Sequence, residues 1–334
     1  MSTTSSRSAA VHPTDPEHSL GAVADLIGRV AANMQRIIVG KPEVVRIALV
    51  TLLAEGHLLV EDVPGVGKTS LAKALARSLD CSVSRVQFTP DLLPGDITGM
   101  SVYNRQTGEF DFRPGPVFAN IVIADEINRA SPKTQSALLE CMAEHQVTVD
   151  GGTYGLASPF MVVATQNPVE MDGTYPLPEA QRDRFTARIS VGYPDPAAEL
   201  AMIDEHAGAD PLEQLRPVAD ARAVRTVVET VRRVHVGPEV RQYCVELVGA
   251  TRRGAEVRLG ASPRATLHLV RAARALAALA GRSYVVPDDV QTIAVPVLAH
   301  RLMLSPEAMA SRMSAADVVR GLLSRLPVPA PARG

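Results

Sequence analysis

Between residues 57 and 191, short apolar runs alternate with segments of helical periodicity, and this pattern constrains the fold more than any other feature of the chain. The apolar runs are strand candidates because they are short and rich in branched side chains. Strands that alternate with helices predict an α/β fold, in which a parallel sheet carries helices on both faces. The predicted strands are 57–60, 83–88, 121–124, 160–164 and 187–191, and the predicted helices between them are 69–79 and 132–144.

The segments on either side of this α/β region show helical patterns only. Two helices are predicted before it, at 20–35 and 42–54, where apolar residues recur at helical spacing. After residue 194 the strand signals stop and five helical patterns follow, which predicts a small, all-helical second domain. Two further segments, 101–112 and 147–156, alternate around glycine-containing turns and are expected to be hairpins inserted in the α/β domain.

The length of 334 residues agrees with two domains, since it exceeds what one compact core usually needs. The first residues are rich in Ser, Thr and Pro, a composition typical of disordered segments. The expected organisation is a disordered segment over 1–18, an α/β domain over 19–193, a helical domain over 194–326 and a flexible tail over 327–334.

Charge and cysteine content argue against several classes of protein. The net charge of −2 gives no reason to expect nucleic acid or an acidic membrane surface as a partner. The three cysteines are far apart and form no CxxC pair, so neither a zinc site nor a disulfide framework is expected. The N-terminus lacks the apolar core of a secretory signal, and no apolar stretch approaches the roughly 18 residues of a membrane span. We therefore expect a cytoplasmic protein without a membrane span.

The segment 61–70, EDVPGVGKTS, lies between a predicted strand and a predicted helix and has the pattern of a phosphate-binding loop. Gly65 and Gly67 allow backbone N–H groups to turn toward phosphate oxygens, and the helix that follows directs its positive end to the same place. The Lys68 ammonium would reach the β- and γ-phosphates, and the Thr69 hydroxyl would ligate Mg²⁺. The residues expected to contact nucleotide here are Pro64, Gly65, Val66, Gly67, Lys68, Thr69 and Ser70.

One residue of this loop departs from the usual pattern GxxxxGK[ST], which has glycine where this chain has Asp62. An acidic side chain here would either repel a triphosphate or point away into the hydrogen bonds of the loop itself. The first case would weaken nucleotide binding. The sequence alone leaves both cases open.

Two acidic residues, Asp125 and Glu126, end the third predicted strand and would share a sheet edge with the phosphate loop. Phosphoryl transfer needs a carboxylate near Mg²⁺ and a group that orients the attacking water. Asp125 fits the metal role and Glu126 the water role. Asn167 follows the fourth strand at the same edge, where its amide could hold the water or contact the γ-phosphate. Each feature alone is also typical of a strand cap or a turn, and the shared edge favours function.

Three arginines are candidates for contacts with the transferring phosphate from outside the loop. Arg182 and Arg184 lie in the segment 178–185, PEAQRDRF. An arginine that reaches into a neighbouring subunit's site stabilises charge on the phosphate, and we expect Arg184 to do so, with Arg182 as the alternative. An ordinary surface ion pair is equally compatible with these residues alone. Arg264 follows the helix cap Ser262 and could reach the γ-phosphate and report nucleotide state to the second domain.

The order of these elements resembles the AAA+ superfamily, and four longer segments narrow the resemblance to its MoxR family. They are QFTPDLLPGDITG at 87–99, GPVFANIVIADEINRASPKTQSALLECMAE at 115–144, ATQNPVEMDGTYPLPEAQRDRF at 164–185 and SPRA at 262–265. The resemblance extends over nearly the whole chain. It implies an AAA+ P-loop core with a helical lid, in which the hairpin at 101–112 matches the insert that marks this clade.

The resemblance also implies a role for each candidate residue. In its terms Walker A is at Lys68 and Thr69, Walker B at Asp125 and Glu126, sensor 1 at Asn167, the arginine finger at Arg184, sensor 2 at Arg264, and the adenine contact at Val39 and Gly40.

The function implied by the resemblance is that of a chaperone-type ATPase. Such proteins bind ATP with Mg²⁺, commonly form homo-oligomeric rings of six subunits, and act with von Willebrand factor A domain partners in remodelling or maturation. Two alternatives remain open at this point. Asp62 would suit a nucleotide-gated assembly scaffold with little hydrolysis, and the superfamily includes nucleic-acid motors, although the slightly acidic chain argues against one.

Overall fold

The computed structural model of the protein describes residues 16–167, 174–194, 196, 199–200 and 211–329. Its helices are α1 (Pro16–Gln35), α2 (Pro42–Leu53), α3 (Lys68–Ser78), α4 (Pro94–Thr98), α5 (Pro132–Glu144), α6 (Glu179–Arg182), α7 (Pro211–Gln214), α8 (Ala221–Arg232), α9 (Pro238–Ala250), α10 (Pro263–Leu279), α11 (Pro287–Leu298), α12 (Pro306–Ala310) and α13 (Ala315–Arg325). Its strands are β1 (Leu58–Glu61), β2 (Val83–Gln87), β3 (Gly99–Asn104), β4 (Glu109–Pro114), β5 (Ile121–Asp125), β6 (Gln146–Val149), β7 (Gly152–Gly155), β8 (Met161–Gln166), β9 (Ala187–Ile189), β10 (Val257–Leu259) and β11 (Met303–Leu304). Short 3₁₀ helices span Pro116–Phe118, Ile127–Arg129 and Ala299–Arg301. Most of the segment predicted to be disordered, 1–18, lies outside the described residues. So do most of residues 197–206, the first of the five helical patterns predicted after residue 194, and much of the predicted tail.

Five parallel strands form the central sheet in the order β2-β5-β8-β1-β9. Leu58 of β1 lies opposite Val163 on one side and opposite Ala187 on the other. All residues of β5 are buried, and in β8 only Gln166 is partly exposed, as expected for a parallel sheet covered on both faces. The predicted parallel α/β sheet is therefore confirmed.

Apolar side chains cover the two faces of the sheet in two separate clusters. One face, which includes Leu59 and Val162, packs against α4 and α5. The other face packs against α1, α2 and α3. Helices α1 and α2 also contact α8 and α10, so that the second cluster continues from the sheet into the C-terminal helices. The predicted domain boundary near residue 194 is thus no break in the hydrophobic core, and the division into domains stays a prediction.

The C-terminal part is helical, as predicted, and the structure adds one short antiparallel strand pair that the sequence does not predict. Strands β10 and β11 pair antiparallel, with Val257 opposite Leu304, and an isolated bridge joins His235 to Tyr284. Strands of two or three residues are too short to show the alternation by which a sequence predicts a strand. Their pairing also depends on residues that are distant along the chain.

Both predicted hairpins are present in the α/β part. Strands β3 and β4 pair from Gly99 opposite Pro114 to Asn104 opposite Glu109, and β6 pairs with β7. Over the part of the chain that the structure describes, no helix has the length and apolar character needed to cross a membrane.

Candidate active site

The predicted phosphate loop connects β1 to α3. Gly65 and Gly67 have φ angles of +82° and +87°, in the left-handed region that favours glycine. Gly67 is the residue immediately before α3. A side-chain atom added at Gly65 would meet nothing within 4 Å, so the backbone of the loop is open on that side. The loop therefore offers an accessible backbone cradle at the positive end of a helix, which suits phosphate.

The Lys68 side chain lies at the carboxyl ends of β1 and β8. Its Nζ donates to the backbone oxygen of Asp62 at 2.5 Å and to that of Gln166 at 3.3 Å. Both carbonyls belong to the sheet edge where the phosphate loop begins. The ammonium is thereby held beside the loop, where it can contact phosphate oxygens.

The Asp62 carboxylate is turned into hydrogen bonds with the segment that follows β9. It accepts from the Gly192 N–H at 2.6 Å, from Ser190 Oγ at 2.7 Å and from the Val63 N–H at 2.9 Å. Burial raises the pKa of Asp62, but these hydrogen bonds lower it by more, so that its pKa lies below the ordinary value. Of the two cases that the sequence leaves open, the structure has the one in which the acid points away.

Thr69 and Asp125, the predicted magnesium ligands, are in direct contact. Thr69 Oγ1 lies 3.1 Å and 3.3 Å from the two carboxylate oxygens of the buried Asp125. The same carboxylate accepts from Thr165 Oγ1 at 3.2 Å and from Arg85 Nε at 2.7 Å. A hydroxyl and a carboxylate fit Mg²⁺, which prefers oxygen ligands. The described residues contain no group of three His, Cys, Asp or Glu that could hold a metal. Mg²⁺ here would therefore depend on phosphate and water for most of its ligands.

Glu126 follows β5 in a left-handed backbone conformation, with φ at +56° and ψ at +50°. Its N–H donates to Thr165 Oγ1 at 2.9 Å. Its carboxylate accepts from Gln87 Nε2 at 2.8 Å and from Arg129 at 3.0 Å. Non-glycine residues with positive φ are uncommon and tend to occur at functional sites. This backbone conformation therefore sets the direction of the half-buried Glu126 carboxylate at the end of β5, the strand that carries Asp125.

Asn167 is buried and follows β8, the strand between β5 and β1. Its backbone oxygen accepts from Asn128 Nδ2 at 3.4 Å. Lys68, Asp125, Glu126 and Asn167 therefore lie at the carboxyl ends of three adjacent strands. This is the shared edge that the sequence predicts, although the role of each side chain stays a prediction.

The three candidate arginines form a second group. The Nε atoms of Arg182 and Arg184 are buried and have no hydrogen-bond partner among the described residues. Arg264 is exposed in the first turn of α10. Ser262 Oγ, at the cap of that helix, donates to Asp183 at 2.8 Å. The arginine-finger candidates and the sensor 2 candidate are thereby brought together within one subunit.

Arg182 faces a cavity of about 410 Å³ within its own subunit. Glu61, Gln166 and Arg188 also line this cavity, and Glu61 is paired with Arg188 at 2.5 Å. The cavity adjoins the ends of β1 and β8, where Lys68 is held. This placement distinguishes Arg182 from Arg184, which does not line the cavity.

Val39 and Gly40, the predicted adenine contacts, lie in the turn between α1 and α2. Gly40 has a φ of +71°, and Val39 is partly exposed. The next residue, Lys41, donates from Nζ to the Tyr193 oxygen at 2.8 Å. Since the residue before Tyr193 donates to Asp62, the turn is connected to the phosphate loop through one short segment.

Sequence reasoning missed several side chains that contact the predicted site. Arg85 and Gln87 lie at alternate positions of β2, which pairs with β5, and they contact Asp125 and Glu126. The sequence signal that could have identified them is the spacing of two polar residues along a strand that neighbours the strand with the acidic pair. Thr165 gave no such signal, because it contacts the site only once β5 and β8 are paired.

Comparison with known families matches both parts of the chain. Residues 57–187 match the ATPase family associated with various cellular activities (AAA), and residues 249–322 match the AAA lid domain. The first range contains Lys68, Asp125 and Glu126, and the second contains Arg264.

Comparison with individual proteins gives matches over nearly the full length. The chain is 42% identical to Chaperone MoxR1 of Mycobacterium tuberculosis over 95% of this chain and 87% of that protein. It is 50% identical to the uncharacterized protein YeaC of Bacillus subtilis over 91% of this chain and 95% of that protein. A crystal structure of a candidate ATPase from Cytophaga hutchinsonii superimposes with a TM-score of 0.87, at 37% identity, over 94% of this chain and 98% of that one.

Proposed function

This chain belongs to the MoxR family of AAA+ ATPases, and we propose that it hydrolyses ATP with Mg²⁺ to remodel or mature a client protein. The observation that carries the hydrolytic part is the contact of Thr69 with Asp125, beside Glu126 and at the same sheet edge as Lys68. The chaperone part is supported by the name of the Mycobacterium tuberculosis relative. No feature of the described residues favours the scaffold alternative, since the Asp62 carboxylate is turned into its own hydrogen bonds.

Each residue of this edge has a role that its position allows. Lys68 and the loop N–H groups bind the β- and γ-phosphates, while Thr69 and Asp125 hold Mg²⁺. Bound Mg²⁺ supplies positive charge against the phosphate oxygens. The Glu126 carboxylate accepts a hydrogen bond from the attacking water and orients it, and Asn167 contacts the water or the γ-phosphate.

The remaining positive charge comes from arginines, one of them from the next subunit of a homo-oligomeric ring. Arg182 lines a cavity of its own subunit, which leaves Arg184 as the better candidate for the neighbour's γ-phosphate. Arg264 contacts the nucleotide of its own subunit from the lid. By resemblance to the family, the ring has six subunits and acts with a von Willebrand factor A domain partner.

The substitution Glu126→Gln tests the hydrolytic role. It keeps the size of the side chain and a hydrogen-bonding oxygen but removes the charge that orients water. We expect ATP turnover to fall by about 10²-fold or more, while the Kd for ATP changes by less than about threefold. Turnover by a coupled assay and binding of a fluorescent ATP analogue measure the two quantities.

Glu144→Gln is the matched control, because Glu144 is exposed at the end of α5 and should leave turnover unchanged. If Glu126→Gln hydrolyses ATP like the wild type, the role of Glu126 is wrong. If the wild type binds ATP but shows no turnover, alone or with a partner, the protein is a nucleotide-gated scaffold instead.

A further inference from the structure

Asp183 lies between the two arginine-finger candidates, Arg182 and Arg184, and its carboxylate is bound from two places in the lid. Arg301 Nε donates to Oδ1 at 2.9 Å. Ser262 Oγ donates to Oδ2 at 2.8 Å. Both donors are remote from Asp183 in sequence. One carboxylate therefore attaches residues 182–184, the finger segment, to the lid of the same subunit.

The contact with Arg301 is extensive and buried. Arg301 is only 5% exposed, and its guanidinium also donates to the backbone oxygens of Asp183 at 3.1 Å and Phe185 at 2.6 Å. The adjacent His300 lies with Nε2 3.2 Å from the same Phe185 oxygen. Residues 183–185 are therefore held along their backbone as well as through the carboxylate.

The charge of this guanidinium persists at neutral pH. Burial lowers the pKa of Arg301 to about 10, and the Asp183 carboxylate beside it opposes a further fall. The contact is therefore an ion pair, and its geometry is restricted by the surrounding carbonyl groups.

The contact with Ser262 leads to the sensor 2 candidate. Ser262 caps α10, and its Oγ accepts from the Arg264 N–H at 3.2 Å while donating to Asp183. One hydroxyl thus connects the first turn of α10, which carries Arg264, to the residue between Arg182 and Arg184. A shift of this turn in response to nucleotide would move or release Asp183.

We propose that Asp183 is a positioning residue that couples nucleotide state in one subunit to the arginine presented to the next. When Arg264 contacts the nucleotide of its own subunit, α10 holds Ser262 against Asp183, and the finger segment is fixed. The coupling rests on the proposed ATPase function. It adds a link from one active site to its neighbour through Asp183, Ser262 and Arg301.

Kinetics of two variants test the link. Asp183→Asn removes the charge, and Ser262→Ala removes the hydroxyl while leaving the buried ion pair of Asp183 and Arg301 intact. We expect each to lower kcat at least about tenfold with KM for ATP within about threefold, because misplacing a catalytic group costs rate without removing the phosphate contacts. Ser262→Thr, which restores a hydroxyl, should recover kcat. Equal lowering of kcat by the control Ser314→Ala, which uncaps the lid helix α13 away from Asp183, would indicate a general loss of lid structure and overturn the proposal.

A double-mutant cycle shows whether Asp183 acts through an arginine. If it does, Asp183→Asn should have little further effect in a protein whose finger arginine is already replaced, lowering kcat by less than about twofold. The background is Arg184→Ala if Arg184 is the finger, and Arg182→Ala if Arg182 is the finger. A full additional loss in both backgrounds would contradict the proposal.

Hydrogen exchange tests the link without depending on turnover. Amide exchange of residues 183–186 is compared between protein bound to AMP-PNP and protein bound to ADP, in the wild type and in Ser262→Ala. We expect a difference between the two nucleotides in the wild type and its loss in the variant. If this holds while the wild type hydrolyses no ATP, the proposed function fails and the link stands. If turnover is normal but exchange is identical with both nucleotides, the link fails and the function stands.

Discussion

His57 is a buried, neutral imidazole directly before β1. Its Nδ1 accepts from the Val162 N–H at 3.0 Å, and its Nε2 donates to the Met142 oxygen at 3.1 Å. Burial lowers the pKa of His57 to about 4, while the hydrogen bond to Met142 acts to raise this pKa and His145 acts to lower it. The ring therefore connects the sheet to α5 only in its uncharged form.

Protonation of His57 is expected to destabilise the protein at acidic pH. The unfolded chain binds the proton at a pKa of about 6.5 and the folded chain only near pH 4, so the free energy of unfolding falls as pH drops between these values. The loss from this residue is about 3 kcal/mol in total, at about 1.4 kcal/mol per pH unit. His57→Gln keeps a donor and an acceptor but does not titrate. Urea unfolding at pH 7.5 and pH 5.5 should show a weaker pH dependence in this variant. An undiminished dependence would contradict this account of His57.

Residue identities at the sheet edge were predictable from sequence, whereas side-chain directions were not. Lys68, Asp125 and Asn167 could be placed because parallel strands end at one edge. The direction of Asp62 could not, since its partners Ser190 and Gly192 are remote in sequence and reach it only after β9 pairs with β1. For the same reason, the sequence does not show which residues that are distant along the chain contact each other in the folded protein.

The predicted phosphate loop and α3 form the element on which the proposed nucleotide binding depends. Gly65 and Gly281 have similar backbone conformations, with φ of +82° and +69°, and both have open space where a Cβ would lie. Only Gly65 belongs to the loop, since Gly281 follows α10. Comparing substitutions at these two glycines therefore separates the cost in stability of the left-handed conformation from a direct effect on phosphate binding.

Alanine substitution at each glycine should cost about 1–2 kcal/mol in free energy of unfolding, because a left-handed conformation is unfavourable for alanine. Only Gly65→Ala should also weaken ATP binding, by about tenfold or more, because an added Cβ lies beside the backbone that cradles phosphate. Chemical denaturation and ATP titration of both variants measure the two effects. Similar ATP affinity in the two variants would place the phosphate site elsewhere.

Helices and strands that show a regular hydrophobic pattern were predictable from the sequence, whereas very short paired strands were not. The five sheet strands and helices α3 and α5 follow from alternation of apolar runs, turns and helical periodicity. The pair β10 and β11 has too few residues for a pattern, and it forms because distant parts of the lid pack together. For this reason the sequence predicts the helices of the C-terminal part but not this strand pair.

At the scale of the whole molecule, the sheet edge that carries the proposed ATPase residues is connected to the C-terminal helices through α1 and α2, which pack against them. The candidate finger Arg184 lies between α6 and β9, and its Nε has no hydrogen-bond partner among the described residues. An arginine that completes a neighbour's site makes activity depend on assembly. The central claim is therefore that the active site forms between subunits.

ATP turnover per subunit, measured against protein concentration, tests this claim most directly. The proteins compared are the wild type, Arg184→Ala and the control Arg241→Ala, whose arginine is exposed on α9. We predict that turnover rises with concentration in the wild type and the control, and that it falls by about 10³-fold in Arg184→Ala, since a finger arginine is worth about 10³–10⁵ in rate. Turnover that is independent of concentration and unchanged by Arg184→Ala would mean a site complete within one subunit, and would contradict the account.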